Sequence, residues 1–277
     1  MADSFILPMD TKDDALELIG GKGRSLAKMS NAGLNVPSGF HHTADAYRAF
    51  VAENNLQDQI VALAKPALVN GWVTFEPASA AIQKLITAHE ISEAIASQLR
   101  QAYAGLGSDP AVAVRSSANA EDLPGLSFAG QQETYLNVKG GEALLKAVRN
   151  CWASLWTAQA ISYRHENDIE QGSVAMAVVV QIMVPADVAG ILFTANPATG
   201  ERTEMIVNAS FGLGEAVVGG QVTPDTFVVD RESKNVKETL IGPKEQMIVS
   251  DGEQGTKLTG VKIEDRDQSS LSDALLN

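Results

Sequence analysis

Apolar residues recur along this chain at two different spacings, and the texture changes near Ala111. Before that point the spacing is mostly helical. A short apolar run at 5–7 leads into an acidic stretch that reaches Leu16 and Ile19. Gly20 and Gly21 follow, then a segment of helical character over 22–31, with Gly33 placed to close it at C′. Pro37 and Gly39 predict a turn, and Thr43 is suited to cap a helix running towards Asn54. From there to about Gly107 apolar positions stay three and four apart, as in Ile82, Leu85, Ile86 and then Ile91, Ile95, Leu99.

After Ala111 the pattern favours strands. Residues 111–114 read as a short buried strand ending in Arg115, Ser116 and Ser117. A loop over 118–132 holds Pro124, Gly125 and Gly130, and 133–138 resumes as a strand. One long helical pattern over 142–167 carries Leu145, Val148, Trp152, Leu155 and Trp156. Residues 173–184 are apolar and β-branched, as a fully buried strand requires. Further strands are expected at 190–194, 204–208 and 226–229, joined by turns such as Asn196-Pro197. Residues 250–270 are polar and turn-rich, and a new helix then starts near Ser272 or Asp273. One turn cannot stand alone, because helix nucleation is unfavourable, so the chain reads as stopping inside an element. Helices first and strands later imply an α+β fold of two lobes, with domains expected at 1–182 and 183–277.

Composition narrows the function classes. At 277 residues, 45% hydrophobic, the chain is long enough for one large core or two modest ones. A net charge of −13 argues against nucleic acid, which needs a basic surface to release counterions. A small anion remains open, since a few cations and backbone N–H groups suffice for it. No stretch approaches the ~20 apolar residues of a membrane span. The lone Cys151 suits a reducing compartment, and the expected location is the cytoplasm.

Several segments have the chemistry of an anion or nucleotide site, each with a plainer reading beside it. Gly20-Gly21-Lys22-Gly23 opens a helix, where glycines admit an anion, amides point at it and lysine adds charge. It lacks the P-loop spacing, and a glycine turn with a solvated lysine is the plainer reading. Arg115, at the end of a strand, can fork two phosphate oxygens with Ser116 and Ser117 adding hydroxyls, or can pair with Glu121 or Asp122. The loop from Leu126 to Gln132 can close as a lid or be ordinary surface. Gln181 interrupts an apolar run, so it is either a buried amide with partners such as adenine, beside Met183, or a strand-edge residue facing water. Glu204 and Glu215 can meet a ribose or Mg²⁺, or be solvated carboxylates. The four histidines form no metal-type cluster, and no Ser-His-Asp arrangement is evident.

In order along the chain, these segments resemble one family. Gly20-Gly21-Lys22-Gly23, the run Val114 to Ala118, Ala120 to Pro124, Ser127 to Gln131, Cys151 to Leu155, Gly190 to Thr194 and Phe211 to Ala216 are similar to the N-terminal ATP-binding domain of phosphoenolpyruvate synthases and rifampicin phosphotransferases. The resemblance covers nearly the whole chain. It implies a two-lobed ATP-grasp-like fold with ATP and Mg²⁺ as cofactors. It assigns Lys22 and Arg115 to the phosphates as the catalytic pair, with Ser116 beside them, and makes 130–134, including Gly130, Gln131 and Thr134, the glycine-rich lid. Gln181 and Met183 would lie at the adenine hinge and Glu215 near the ribose; the metal ligands stay unassigned.

The family splits ATP to AMP and phosphate and passes the β-phosphoryl group to a histidine on a swivelling domain, then to pyruvate or an antibiotic. Neither the phosphohistidine domain nor the acceptor domain is in this sequence. The later Asp-Ile-Glu-Trp-like and Gln-Ser-Arg-Pro-like segments are missing as well. The resemblance therefore implies a truncated ATP domain that hydrolyses little ATP by itself. Two other readings stay open: a stand-alone module that binds a nucleotide or a partner without turnover, and a fragment whose oligomer covers the truncated face.

Overall fold

A computed structural model of the chain describes residues 4–119, 133–252 and 254–272. The chain forms two compact units, 1–183 and 184–277. Both mix helices with antiparallel sheet, so the α+β class expected from the sequence is the class observed.

In the first unit the elements are β1 (Ile6–Pro8), α1 (Leu16–Asn31), β2 (Gly39–His42), α2 (Ala44–Glu53), α3 (Gln57–Leu63), β3 (Ala67–Val69), β4 (Trp72–Thr74), α4 (Glu76–Ala88), α5 (Glu93–Ala104), β5 (Val112–Ala118), β6 (Thr134–Val138), α6 (Gly141–Ser154), α7 (Ala158–Glu166) and β7 (Met176–Ile182). Five of the strands form one sheet in the order β1-β2-β7-β5-β6. The apolar 176–182 run lies second to none in burial because β7 has a strand on each side and helices over its faces.

Side chains alternate across a strand, so register decides which residues share a face. Ala113 pairs with Gln181, Arg115 with Val179 and Thr134, and Ser117 with Ala177. Gly39 and His41 continue the same row on β2. This face is packed by α1. The opposite face carries Val112, Val114, Val178, Val180, Phe40 and His42, and meets α2 and α6. The main core lies there, around Trp152, with Phe50 centred 4.9 Å and His42 5.6 Å from its rings.

The helix α1 contains a break. Gly20 has φ 68 and ψ 179, a region essentially reserved for glycine, and the helix restarts beyond it. The far end closes as the sequence indicates: Gly33 N–H donates to Ser30 and Leu34 N–H to Met29, the paired bonds of a Schellman motif.

Four local expectations are corrected. Gly39 opens β2 instead of making a turn, because an added Cβ there would come within 2.1 Å of the Val180 carbonyl; the glycine permits close strand approach. The helical reading of 54–107 is interrupted by the β3–β4 hairpin, whose Asn70-Gly71 turn has both φ positive (53 and 82). The strand read over 111–114 runs on through Arg115, Ser116 and Ser117 to Ala118, since β7 supplies a partner for each. The 142–167 pattern is two helices, parted at 155–157, where the Thr157 hydroxyl accepts from Ala160 N–H and caps the second.

The second unit holds β8 (Val188–Phe193), β9 (Glu204–Phe211), a short α8 (Glu215–Val218), β10 (Asp225–Asp230), β11 (Val236–Leu240), β12 (Gln246–Ser250), β13 (Thr256–Gly260) and a short α9 (Ile263–Arg266). The first, second, fourth and fifth of these make an antiparallel sheet in the order β11-β10-β9-β8. β12 and β13 form a separate hairpin, so the polar 250–270 stretch contains a strand that its turn-forming residues conceal. A fully buried ion pair braces this unit. Asp225 accepts from the Lys244 ammonium, from Gly242 N–H at 2.9 Å and from Ser270 N–H at 2.7 Å, while Lys244 also donates to the Gly242 carbonyl.

Candidate nucleotide site

Two backbone features build the first unit's candidate site. The restart of α1 after Gly20 aims a fresh helix N-terminus, Gly21-Lys22-Gly23, at the sheet. The strand β5 carries Arg115 on the face that α1 packs. Ser117, two residues further on the same face, joins them: its hydroxyl donates to the Ile19 carbonyl (2.8 Å) and accepts from Gly23 N–H (3.0 Å).

Arg115 is half-buried, and its guanidinium donates to the Gln181 side-chain oxygen at 3.4 Å. Gln181 in turn donates to the Pro37 carbonyl at 3.4 Å and is 5% exposed. It is therefore no strand-edge residue facing water: its amide stands in the middle of the sheet and orients the arginine. Lys22 is half-buried, and its charge reaches Cys151. The Cys151 thiol is pushed up by burial and by Glu133, and Lys22 tempers the rise, so this cysteine is a protonated core residue.

The register brings together Lys22's turn, Arg115, Thr134 and Gln181. It does not include Ser116, which lies on the opposite face, fully buried, with its hydroxyl donating to the Glu133 carbonyl at 3.0 Å. Met183 follows β7, half-buried, its N–H bonded to the Ala111 carbonyl at 2.9 Å. Gly130 and Gln131, like Glu121 and Asp122, lie outside the described residues. In the second unit Glu215 is exposed at the start of α8 and accepts from the Thr256 hydroxyl at 2.9 Å. Glu204 is committed to Asn196 (3.0 Å) and Lys237 (3.2 Å), which hold its carboxyl below the usual range.

The sequence reading set Ser116 and Ser117 together beside Arg115 without choosing between them, and counted His41 only among the four histidines. Alternation along the strand was the signal available: once Arg115 faces a ligand, Ser117 shares its side and Ser116 cannot. His41 is buried beside Gly23, with Nε2 3.2 Å from the Met9 carbonyl; burial lowers its pKa despite that contact.

Among the described residues no group of three or more His, Cys, Asp or Glu could hold a metal ion. Mg²⁺ is commonly held by one or two carboxylates together with substrate phosphates, so such a group is not required for it. Among the described residues no helix is long and apolar enough to cross a membrane.

The lysine-bearing turn and the Arg115 guanidinium share one sheet face, and comparison with known proteins gives the family. The chain belongs to the family described as the pyruvate phosphate dikinase AMP/ATP-binding domain, whose model matches residues 16–277. It is 39% identical over 290 residues to the phosphoenolpyruvate synthase of Pyrococcus furiosus, covering 91% of this chain and 35% of that protein. A probable phosphoenolpyruvate synthase of Methanocaldococcus jannaschii is 44% identical over 263 residues, covering 93% of this chain and 22% of that protein. The rifampicin phosphotransferase of Streptomyces sviceus is 40% identical over 277 residues, covering 99% of this chain and 32% of that protein. The chain thus spans about a third or less of the length of these relatives.

Proposed function

We propose that this chain is the ATP-binding, phosphoryl-donor part of a longer dikinase. That enzyme would split ATP to AMP and phosphate, phosphorylate a histidine of a swivelling domain and transfer the group to pyruvate or to a rifamycin-type antibiotic. The reading is supported above all by the shared face of Arg115 and the Lys22 turn, within a family defined by AMP/ATP binding. Lys22 and Arg115 hold the phosphates and meet their charge, with Thr134 at the edge of the lid that Gly130 and Gln131 belong to. Gln181 steadies Arg115 and, with Met183, borders the adenine; Glu215 serves the ribose. Catalysis in such a site is mostly positioning and electrostatics, because the transferred phosphoryl needs little covalent help. Mg²⁺ would neutralise phosphate charge, and the enzyme would work in the cytoplasm.

Calorimetric titration with ATP, with and without Mg²⁺, tests the reading. Saturable binding that weakens tenfold or more in Arg115→Ala is expected, in line with the loss of a charge-assisted contact. Equal binding by both chains, or none by the unmodified chain, would sink it.

A further inference from the structure

We propose that Ser117 is a positioning residue for this site: its hydroxyl fixes where Lys22 stands relative to Arg115. The proposal rests on the nucleotide reading above and deepens it.

Ser117 is fully buried, and most buried hydroxyls are hydrogen-bonded. Both of its bonds go to α1, on either side of the break at Gly20. The kink frees the Ile19 carbonyl and the Gly23 amide from ordinary helical pairing, and one oxygen serves both, donating to the first and accepting from the second. The approach is as close as a backbone permits. A Cβ on Gly20 would fall 2.2 Å from the Ser117 carbonyl oxygen and 2.4 Å from its hydroxyl. Lys22 lies inside the bracket that these two bonds make, while Arg115 is two residues away on the same strand and face, about 7 Å along it. The backbone that carries Lys22 and the strand that carries Arg115 are thereby tied through a single side chain. Loss of that side chain would leave both charges present and their spacing unfixed, and small misplacements in a phosphate clamp weaken it strongly.

The test is a double-mutant cycle read in ATP affinity, with Ser117→Ala, Lys22→Ala and the pair, and an unfolding midpoint for each. The expected result is roughly tenfold weaker binding for Ser117→Ala. In the Lys22→Ala background the same change should have no further effect. A lowered midpoint with unchanged affinity would reduce Ser117 to a structural residue and overturn the proposal. So would an equal fold-loss with and without Lys22. Should Ser117→Ala not fold, Ser117→Cys takes its place in the cycle, since it keeps the volume and bonds only weakly. If the unmodified chain binds no ATP, the nucleotide reading itself fails. If it binds and the cycle is additive, only the positioning role fails.

Discussion

Single residues carry constraints that the local sequence does not advertise. At Gly20 the backbone occupies a region closed to side chains and touches Ser117 as well. Gly20→Ala should therefore cost about 3 kcal/mol or more, read as a lower urea midpoint, against the ~1 kcal/mol gain that glycine-to-alanine changes give at relaxed positions. His42 poses a different problem. Its ring is buried against Trp152 with no hydrogen-bond partner for either nitrogen among the described residues, and burial lowers its pKa to about 3. A histidine whose folded pKa is depressed takes up its proton only on unfolding, so stability is complete above about pH 6.5 and falls below it. At pH 5 the loss should be about 2 kcal/mol from this residue. Denaturant titrations at pH 5 and 7.5 should show that drop, and His42→Phe should remove much of it; an unchanged difference would place the pH dependence elsewhere.

Among the elements, the β3–β4 hairpin shows most plainly what periodicity leaves out. Leu68, Trp72 and Val73 are 77%, 79% and 67% exposed, so apolar residues inside the segment read as helical lie on the surface. The Asn70-Gly71 pair is the turn signal in this segment, and the helical reading over 54–107 made no use of it. Trp72→Ser should change stability by no more than about 0.5 kcal/mol while reducing light scattering at high concentration; a large fall in melting temperature would mean the hairpin is part of the fold's support. The strands β5 and β7 were legible as apolar runs. Their partners were not, because pairing is non-local, and with it went the distinction between Ser116 and Ser117. Gln181 is a similar case: the run around it left a buried amide and a strand edge both open, and its hydrogen bond to Arg115 depends on two strands 66 residues apart.

At the scale of the whole molecule, the family could be read from ordered motifs, each weak alone, and the α+β class and most elements from the spacing of apolar residues. The braces within each unit needed coordinates. The Asp225–Lys244 pair is the clearest of these, because neither residue stands out in a chain with 34 acidic and 21 basic side chains. Burial opposes the Asp225 charge, and the bonds from Lys244 and Ser270 more than offset it, leaving the carboxyl below its usual range. Removing one member strands the other charge, so Asp225→Ala should destabilise the second unit by about 3–5 kcal/mol. Faster amide exchange in β9 and β10 would show it, and unchanged exchange would mean that water replaces the lost carboxylate.

The alternation along β5 also has a consequence for how this segment tolerates length changes. Deleting one residue just before Arg115 would carry the guanidinium through the sheet into the apolar layer and bring Ser116 towards α1, so that every assignment on the strand is exchanged with its neighbour's. Deleting two would shift the row yet return each side chain to its own side. Tolerance to deletion here should follow parity instead of size, with the longer lesion the milder of the two.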